Sequence, residues 1–270
     1  MPSEGFKNKV AVITGGASGI GKALGDQFAE RGAQVGLVDM DADGVEASAQ
    51  ALRQRGFAAI GQACDVTSEK ACANAIGAVQ AEYGGVDILV NNAGITLREA
   101  FVDTRVAAYR KVMDVNFFGA LNCTRAAIAS LIERQGMIIV MSSIAGFAPV
   151  LGRSGYCASK YALHGFFDTL RIELSGQGVH VMMVCPTFVR TNLQTRALGG
   201  DGQVTRHPQS TMGKMATPEQ TAQAICTAAL RKQRILIPTA MGKAAYWMSR
   251  VLPAFYDRIV ARQFKAELMR

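Results

Sequence analysis

Short valine-rich apolar runs alternate along the chain with stretches whose apolar residues recur every three to four positions. Residues 10–14 read as a strand, followed by a glycine turn and a helix that runs through Glu30 and stops at Gly32. A strand at 35–39, a helix at 44–55 closed by Gly56, and a strand at 58–63 follow. Thr67 is placed to cap a helix that runs to Tyr83, before the Gly84-Gly85 stop. Further strands are expected at 88–91, 137–142, 179–185 and 235–237, with helices over about 104–134 and 154–175. Thr217, Pro218 and Gln220 have the spacing of a capping box with proline in the first turn, opening one more helix. Strands apolar at nearly every position need cover on both faces, hence helices on both sides of a parallel sheet. The alternation predicts one α/β domain, a doubly wound parallel sheet of about seven strands spanning residues 1–270. Two segments fall outside it: 187–216, polar and rich in Gly and Thr, and 241–270, a helical extension broken at Pro253.

Composition narrows the class further. With 49% hydrophobic residues in 270, and no repeat or low-complexity tract, the chain is not disordered or a repeat array. The longest uncharged run, 135–152, is interrupted by Ser142, Ser143, Gly146 and Pro149, so no transmembrane segment is expected. The first residues lack the apolar core of a signal peptide, which points to a cytoplasmic protein. Six cysteines, none in a C-x-x-C pair or near histidine at ligand spacing, read as reduced, packed thiols, and no metal site is expected. The formal charge is +8, and residues 231–270 hold nine Lys/Arg against Asp257 and Glu267, so most of the excess lies there. No aromatic-interleaved basic platform accompanies it, which argues against nucleic acid. A solvated helix face is the leading reading, and peripheral contact with an anionic substrate or membrane surface the other.

Three features carry chemistry. The first strand ends in Thr14-Gly15-Gly16-Ala17-Ser18-Gly19-Ile20-Gly21, a G-x-x-x-G-x-G turn. Its glycines let backbone approach a pyrophosphate resting on the N-terminus of the next helix. Asp39 ends the second strand, where a carboxylate accepts hydrogen bonds from ribose hydroxyls and repels a 2′-phosphate; neither Ser18 nor Met40 supplies a cation to reverse this. Tyr156 and Lys160 stand four apart on one helix face, and Ser143 lies just past the fifth strand, where such sheets bind ligands. An adjacent ammonium stabilises a phenolate, so the pair reads as an acid–base device.

Together these motifs resemble the short-chain dehydrogenase/reductases over about residues 6–240. The likeness includes Asp65-Val66, Asn91-Asn92-Ala93-Gly94, Asn116, the 13-residue step from Ser143 to Tyr156, and Pro186 followed by Thr191. It implies a Rossmann-like fold and an NAD-linked oxidoreductase, NADP being the lesser alternative. Gly15, Ser18, Gly19, Ile20, Gly21, Asp39, Met40, Asp65, Val66, Asn92, Ala93, Gly94, Pro186, Val189 and Thr191 would hold the cofactor, together with Tyr156 and Lys160. Asp65 and Val66 would meet the adenine and Thr191 the carboxamide, while Asn91–Gly94 would brace the sheet beside the ribose. Ser143 would bind the substrate oxygen and Tyr156 exchange its proton. Lys160 would bind the ribose and lower the tyrosine pKa, a shift of about three units or roughly 4 kcal/mol with help from a cationic nicotinamide. Asn116 would hold a helix kink and a water leading to Lys160.

Thr187 stands where the family has glycine after the sixth strand, adding bulk near the nicotinamide. His164, His180 and His207 are isolated. Phe117-Phe118 and Phe166-Phe167 lie on helices that form subunit interfaces in this family, implying a homodimer or homotetramer. The run Tyr161 to Asp168 and the basic apolar tail look like members acting on lipophilic alcohols and ketones. Segment 187–216, with Gly199, Gly200 and Gly202 as flexible points and Leu193, Leu198, Met212 and Met215 as contacts, is expected to be a substrate lid. The rivals are an NADP-linked carbonyl or 3-oxoacyl reductase and a non-catalytic nucleotide-binding scaffold.

Overall fold

A computed structural model describes residues 5–193, 195–205 and 215–268. Seven parallel strands form one sheet: β1 (Val10–Thr14), β2 (Gln34–Asp39), β3 (Ala59–Ala63), β4 (Ile88–Asn91), β5 (Met137–Met141), β6 (His180–Val184) and β7 (Ile235–Leu236). Their order across the sheet is β3-β2-β1-β4-β5-β6-β7, so the chain reverses its winding between β1 and β4. A crevice opens beyond the strand ends at such a reversal. The doubly wound sheet expected from the sequence is the one formed.

The period-two geometry of a strand explains why the sheet is apolar throughout. On β1, Ala11 and Ile13 enter the core on one face while Val10 and Val12 enter the core on the other. α1 (Gly19–Ala29), α2 (Ala42–Gln54) and α7 (Pro218–Leu230) cover the first face; α3 (Glu69–Tyr83), α5 (Gly119–Glu133) and α6 (Ser154–Glu173) cover the second. Local signals set the ends. Asp41 caps α2 by accepting from the Gly44 N–H at 3.0 Å, two residues before the expected start. Ser68, not Thr67, caps α3, because the Thr67 side chain and N–H are both bound to Asp65. The capping box at Thr217 and Gln220 is present in full.

The expected helix over 104–134 begins with α4 (Val106–Met113), passes through one π turn at Asp114–Phe118 and continues as α5. By length and hydropathy this stretch, Val106–Glu133, is apolar enough to cross a bilayer, unlike anything the uncharged runs indicated. Among its buried residues, Ala108, Val112, Asn116, Ala120, Cys123, Ala127 and Leu131 form one stripe against the domain. That stripe accounts for much of its apolar character.

After β7 the chain forms α8 (Ala240–Val251) and α9 (Pro253–Leu268), with the break at Pro253. Tyr256, Val260 and Phe264 of α9 lie four apart and bury against Phe147, Ala148 and Cys185, a third small core beside the sheet. Thr187 takes part in seating this hairpin. Its Oγ1 accepts from the Thr239 hydroxyl at 3.4 Å, and Thr239 is the N-cap of α8. A side chain where a glycine was expected thus ties the loop after β6 to the C-terminal helices.

Within segment 187–216, residues 194 and 206–214, including His207 and Met212, lie outside the described residues. The parts that are described are fastened. Leu198 exchanges backbone hydrogen bonds with the loop after β4, its N–H to Thr96 and its carbonyl to Arg98, each at 2.8 Å. Gly200 serves close packing, since a Cβ there would lie 2.0 Å from the Asp103 carbonyl oxygen. Gly202, at φ +82°, makes a turn that only glycine adopts freely.

Candidate active site

The crevice at the strand ends is a cleft of about 1060 Å³. At one end lies the β1–α1 turn. Gly15 and Gly19 have φ of +70° and +56°, and a Cβ on Gly15 would sit 2.7 Å from Asn92 Nδ2. Gly21 lies beneath, with its missing Cβ 2.0 Å from the Gly15 carbonyl oxygen, so the turn closes only without side chains. Asn92 locks it from the next strand: Nδ2 donates to the Thr14 carbonyl at 2.8 Å. The N–H groups of Asn92 and Ala93 both donate to Thr14 Oγ1 at 2.9 Å.

The Ser18 side chain does not cap α1, and the first turn of α1 has no acidic residue. The opening N–H groups of that helix and its positive dipole end therefore face the cleft, a natural anion site. The Asp39 carboxylate is held by two backbone donors, Ala17 N–H to Oδ2 at 3.0 Å and Asp41 N–H to Oδ1 at 3.1 Å. Each oxygen keeps a lone pair for a ligand hydroxyl. Further along, the Val66 carbonyl accepts from Asn122 Nδ2 at 3.0 Å, fixing the loop after β3 at the wall. Beneath it the thiols of Cys64, Cys72 and Cys123 are buried together; hydrogen bonding to Cys72 and then burial raise Cys64, and hydrogen bonding to Cys123, with burial, raises Cys72. A glycine cradle, an uncapped helix start and a carboxylate on the far side fit a dinucleotide.

The middle of the cleft holds Ser143, Tyr156 and Lys160. α6 is fixed at its first turn because Gly155 lets Tyr109 of α4 come within 2.6 Å of where a Cβ would be, and the Tyr109 and Ser154 hydroxyls are 3.0 Å apart. Lys160 is buried, donates from Nζ to the Met141 carbonyl at 2.8 Å, and lies 5.5 Å from the centre of the Tyr156 ring. Burial lowers the Lys160 ammonium to about 8. Burial also lifts the Tyr156 phenol to about 12, opposed by its hydrogen bond with Ser143 and by the charge of Arg153. The lowered tyrosine pKa implied by the sequence is thus not a property of the chain alone. Desolvation of the phenolate outweighs the Ser143 hydrogen bond and the charge of Arg153.

Asn116 and Gly21 do not line the cleft, whereas every other expected site residue does. Asn116 sits behind it in the π turn, buried, with Nδ2 donating to the Ile95 carbonyl and to Ser159 Oγ at 2.9 Å, while Oδ1 accepts from the Ile95 N–H at 2.8 Å. It clamps the loop after β4 to α6 one residue from Lys160, and the extra residue of the π turn aims it there. Further along α6, His164 Nε2 lies 3.6 Å from the buried Cys185 Sγ, and burial lowers the imidazole.

Sequence reasoning missed Arg153 and Phe188, both on the cleft wall. Arg153 is buried at the N-cap of α6, its guanidinium 5.3 Å from the centre of the Phe264 ring. Its spacing of three from Tyr156 was the available signal. Phe188 follows the unusual Thr187 and meets Phe264 at 6.5 Å between ring centres. With Ile144, Val150, Leu198 and Val204, Phe188 gives this end of the cleft an apolar wall, and the Arg153 guanidinium is set into it.

A family model described as short chain dehydrogenase matches residues 9–199. The protein called dehydrogenase/reductase SDR family member 7B of Danio rerio is 32% identical over 97% of this chain and 87% of its own length. Its namesake from Rattus norvegicus is 34% identical over 97% of this chain and 83% of that protein. Among solved structures, a short chain dehydrogenase/reductase from Burkholderia phymatum, crystallised in complex with NAD, superposes with a TM-score of 0.82 over 93% of this chain and 95% of that one. At 23% identity this last likeness is one of fold.

Proposed function

The chain belongs to the short-chain dehydrogenase/reductase family, and on that premise we propose that it interconverts a lipophilic secondary alcohol and its carbonyl compound with NAD. The observation that carries this reading is the placement of Ser143, Tyr156 and Lys160 between a dinucleotide cradle and an apolar wall. The cradle residues from Gly15 to Gly21, with Asn92 to Gly94, would hold the pyrophosphate and riboses, Asp65 and Val66 the adenine, and Pro186, Val189 and Thr191 the nicotinamide end. Bound there, the cofactor would supply or accept hydride at its nicotinamide ring.

In the direction of reduction, the Ser143 hydroxyl donates a hydrogen bond to the substrate carbonyl oxygen. Tyr156 then gives that oxygen its phenolic proton. A phenol near 12 is protonated at neutral pH, as an acid must be, and Lys160 offers positive charge to the phenolate left behind. Oxidation runs the same transfer backwards and needs the phenolate first. Asn116 acts by positioning α6. The residues 187–205 that are described roof the apolar end. Of the two phenylalanine pairs expected at a subunit interface, Phe118 is exposed, whereas Phe167 is buried in the core and Phe117 and Phe166 pack against it, so a homodimer or homotetramer through α5 and α6 would use Phe118 and not Phe167.

A screen of secondary alcohols and ketones for NADH absorbance change, run with both cofactors, tests the proposal. Turnover of lipophilic substrates with NAD is expected. Equal or better kcat/KM with NADP would favour the NADP-linked carbonyl or 3-oxoacyl reductase, and no turnover of any substrate would favour a nucleotide-binding scaffold.

A further inference from the structure

The outer face of the C-terminal hairpin is not used by the cleft. On α8, Lys243, Trp247 and Val251 are spaced four apart, on one row of the helix, and all three are exposed; Trp247 is 64% and Val251 67% accessible. Leu252 and Phe255, also exposed, continue the apolar surface around the corner into α9. On α9 the face opposite the buried Tyr256, Val260 and Phe264 carries Arg258, Arg262 and Lys265, again at spacings of three and four. One surface thus combines an apolar corner with flanking cations, on helices whose inner face is anchored in the domain.

We propose that this hairpin seats the protein on an anionic lipid bilayer, with Trp247, Val251, Leu252 and Phe255 entering the headgroup region and the cations meeting lipid phosphates. Aromatic and aliphatic side chains beside Lys and Arg are the chemistry of interfacial helices. Charge complementarity selects this occupant over a second copy of the chain. A two-fold contact through this face would set its basic rows against each other, whereas an anionic surface neutralises them. The seated face backs onto the core that walls the apolar end of the cleft, so a lipophilic substrate would arrive on that side; this last point alone rests on the function proposed above.

The chain carries its own reporter, since Trp247 is its one tryptophan. The full-length protein is mixed with phosphatidylcholine vesicles that contain or lack phosphatidylglycerol. Sedimentation with the anionic vesicles is expected, weakened by salt, with a blue shift of Trp247 emission and quenching by brominated lipid chains. Arg258→Gln with Arg262→Gln should weaken binding roughly 30-fold, at about fivefold per cation. Val251→Ser with Phe255→Ser should remove the blue shift. These positions are exposed, and the wild-type fluorescence decides the matter even if a double variant folds poorly. Absence of vesicle binding would overturn the proposal, as would equal binding to neutral vesicles or binding that leaves Trp247 unquenched. A concentration-dependent dimer that shields Trp247 and is split by Phe255→Asp would assign the face to a second copy instead. Vesicle binding is read without substrate, so failure of the lipophilic-alcohol screen would not alter it.

Discussion

At the cofactor end of the cleft, position is set by backbone: glycines whose missing Cβ atoms leave no space, Asn92 tied to Thr14, and Asp39 held between two N–H groups. At the substrate end, position is set by side-chain packing: Phe188 and Arg153 against Phe264, and Tyr256 and Val260 against Phe147. Backbone geometry tolerates few residue types, so the first end leaves a short and dense signature in the chain. Apolar packing tolerates many, so the second end leaves only scattered large residues that lie far apart in the chain. Ser143, Tyr156 and Lys160 stand at the join of the two regimes.

Substitutions at the two ends should act differently. The largest effect is expected at the join, where Tyr156→Phe removes the proton and little packing. kcat should fall roughly 10³–10⁴-fold while cofactor affinity and melting temperature stay near wild type; substantial remaining turnover would reassign the acid.

At the packed end, Phe264→Ala should destabilise the protein by about 3 kcal/mol in denaturant unfolding. It should also raise KM for lipophilic substrates more than for polyols. An unchanged substrate ranking would separate the hairpin from the pocket.

Lys160→Met sets function against stability. The lysine is lowered from its ordinary 10.5 to about 8, so between those values the unfolded chain binds more protons than the folded one and wild-type stability rises with pH. Below about pH 8 its burial costs up to about 3 kcal/mol. The variant should be inactive yet melt higher at pH 7, with the difference shrinking towards pH 10. A lower melting temperature at pH 7 would mean that the bond to Met141 outweighs the burial of charge.

The smallest effect is expected at the backbone-built end. Asp39→Ala should narrow an NAD over NADP preference of about five- to thirty-fold, equivalent to 1–2 kcal/mol, as read from kcat/KM with each cofactor. A wild type without that preference would remove Asp39 from cofactor selection.

The strand positions, the capping box at Thr217 and the cluster of cleft residues were legible because each depends on neighbours within a few positions or on a fixed spacing along one element. Where reading failed, a contact outside the expected element decided. Thr67 is held by Asp65, which leaves the cap to Ser68, and Gly200 proved to be a contact for Asp103. Thr187 proved to be a tie to Thr239, and the spacing of Arg153 from Tyr156 had no meaning until Phe264 was seen beside it.

The apolar period of the chain was enough for the parallel sheet, and glycine sterics for the β1–α1 turn, because both act locally; the fixed spacing of Ser143, Tyr156 and Lys160 marked three residues that share one cleft. Tertiary structure alone decided the protonation of that group and the shape of the substrate end. Burial lifts Tyr156 and lowers Lys160 together, and desolvation is set by every chain segment that closes over a site. The apolar wall is likewise made by the loop after β5 and the segment after β6, with α9 packed behind them, and these meet only once the chain has folded.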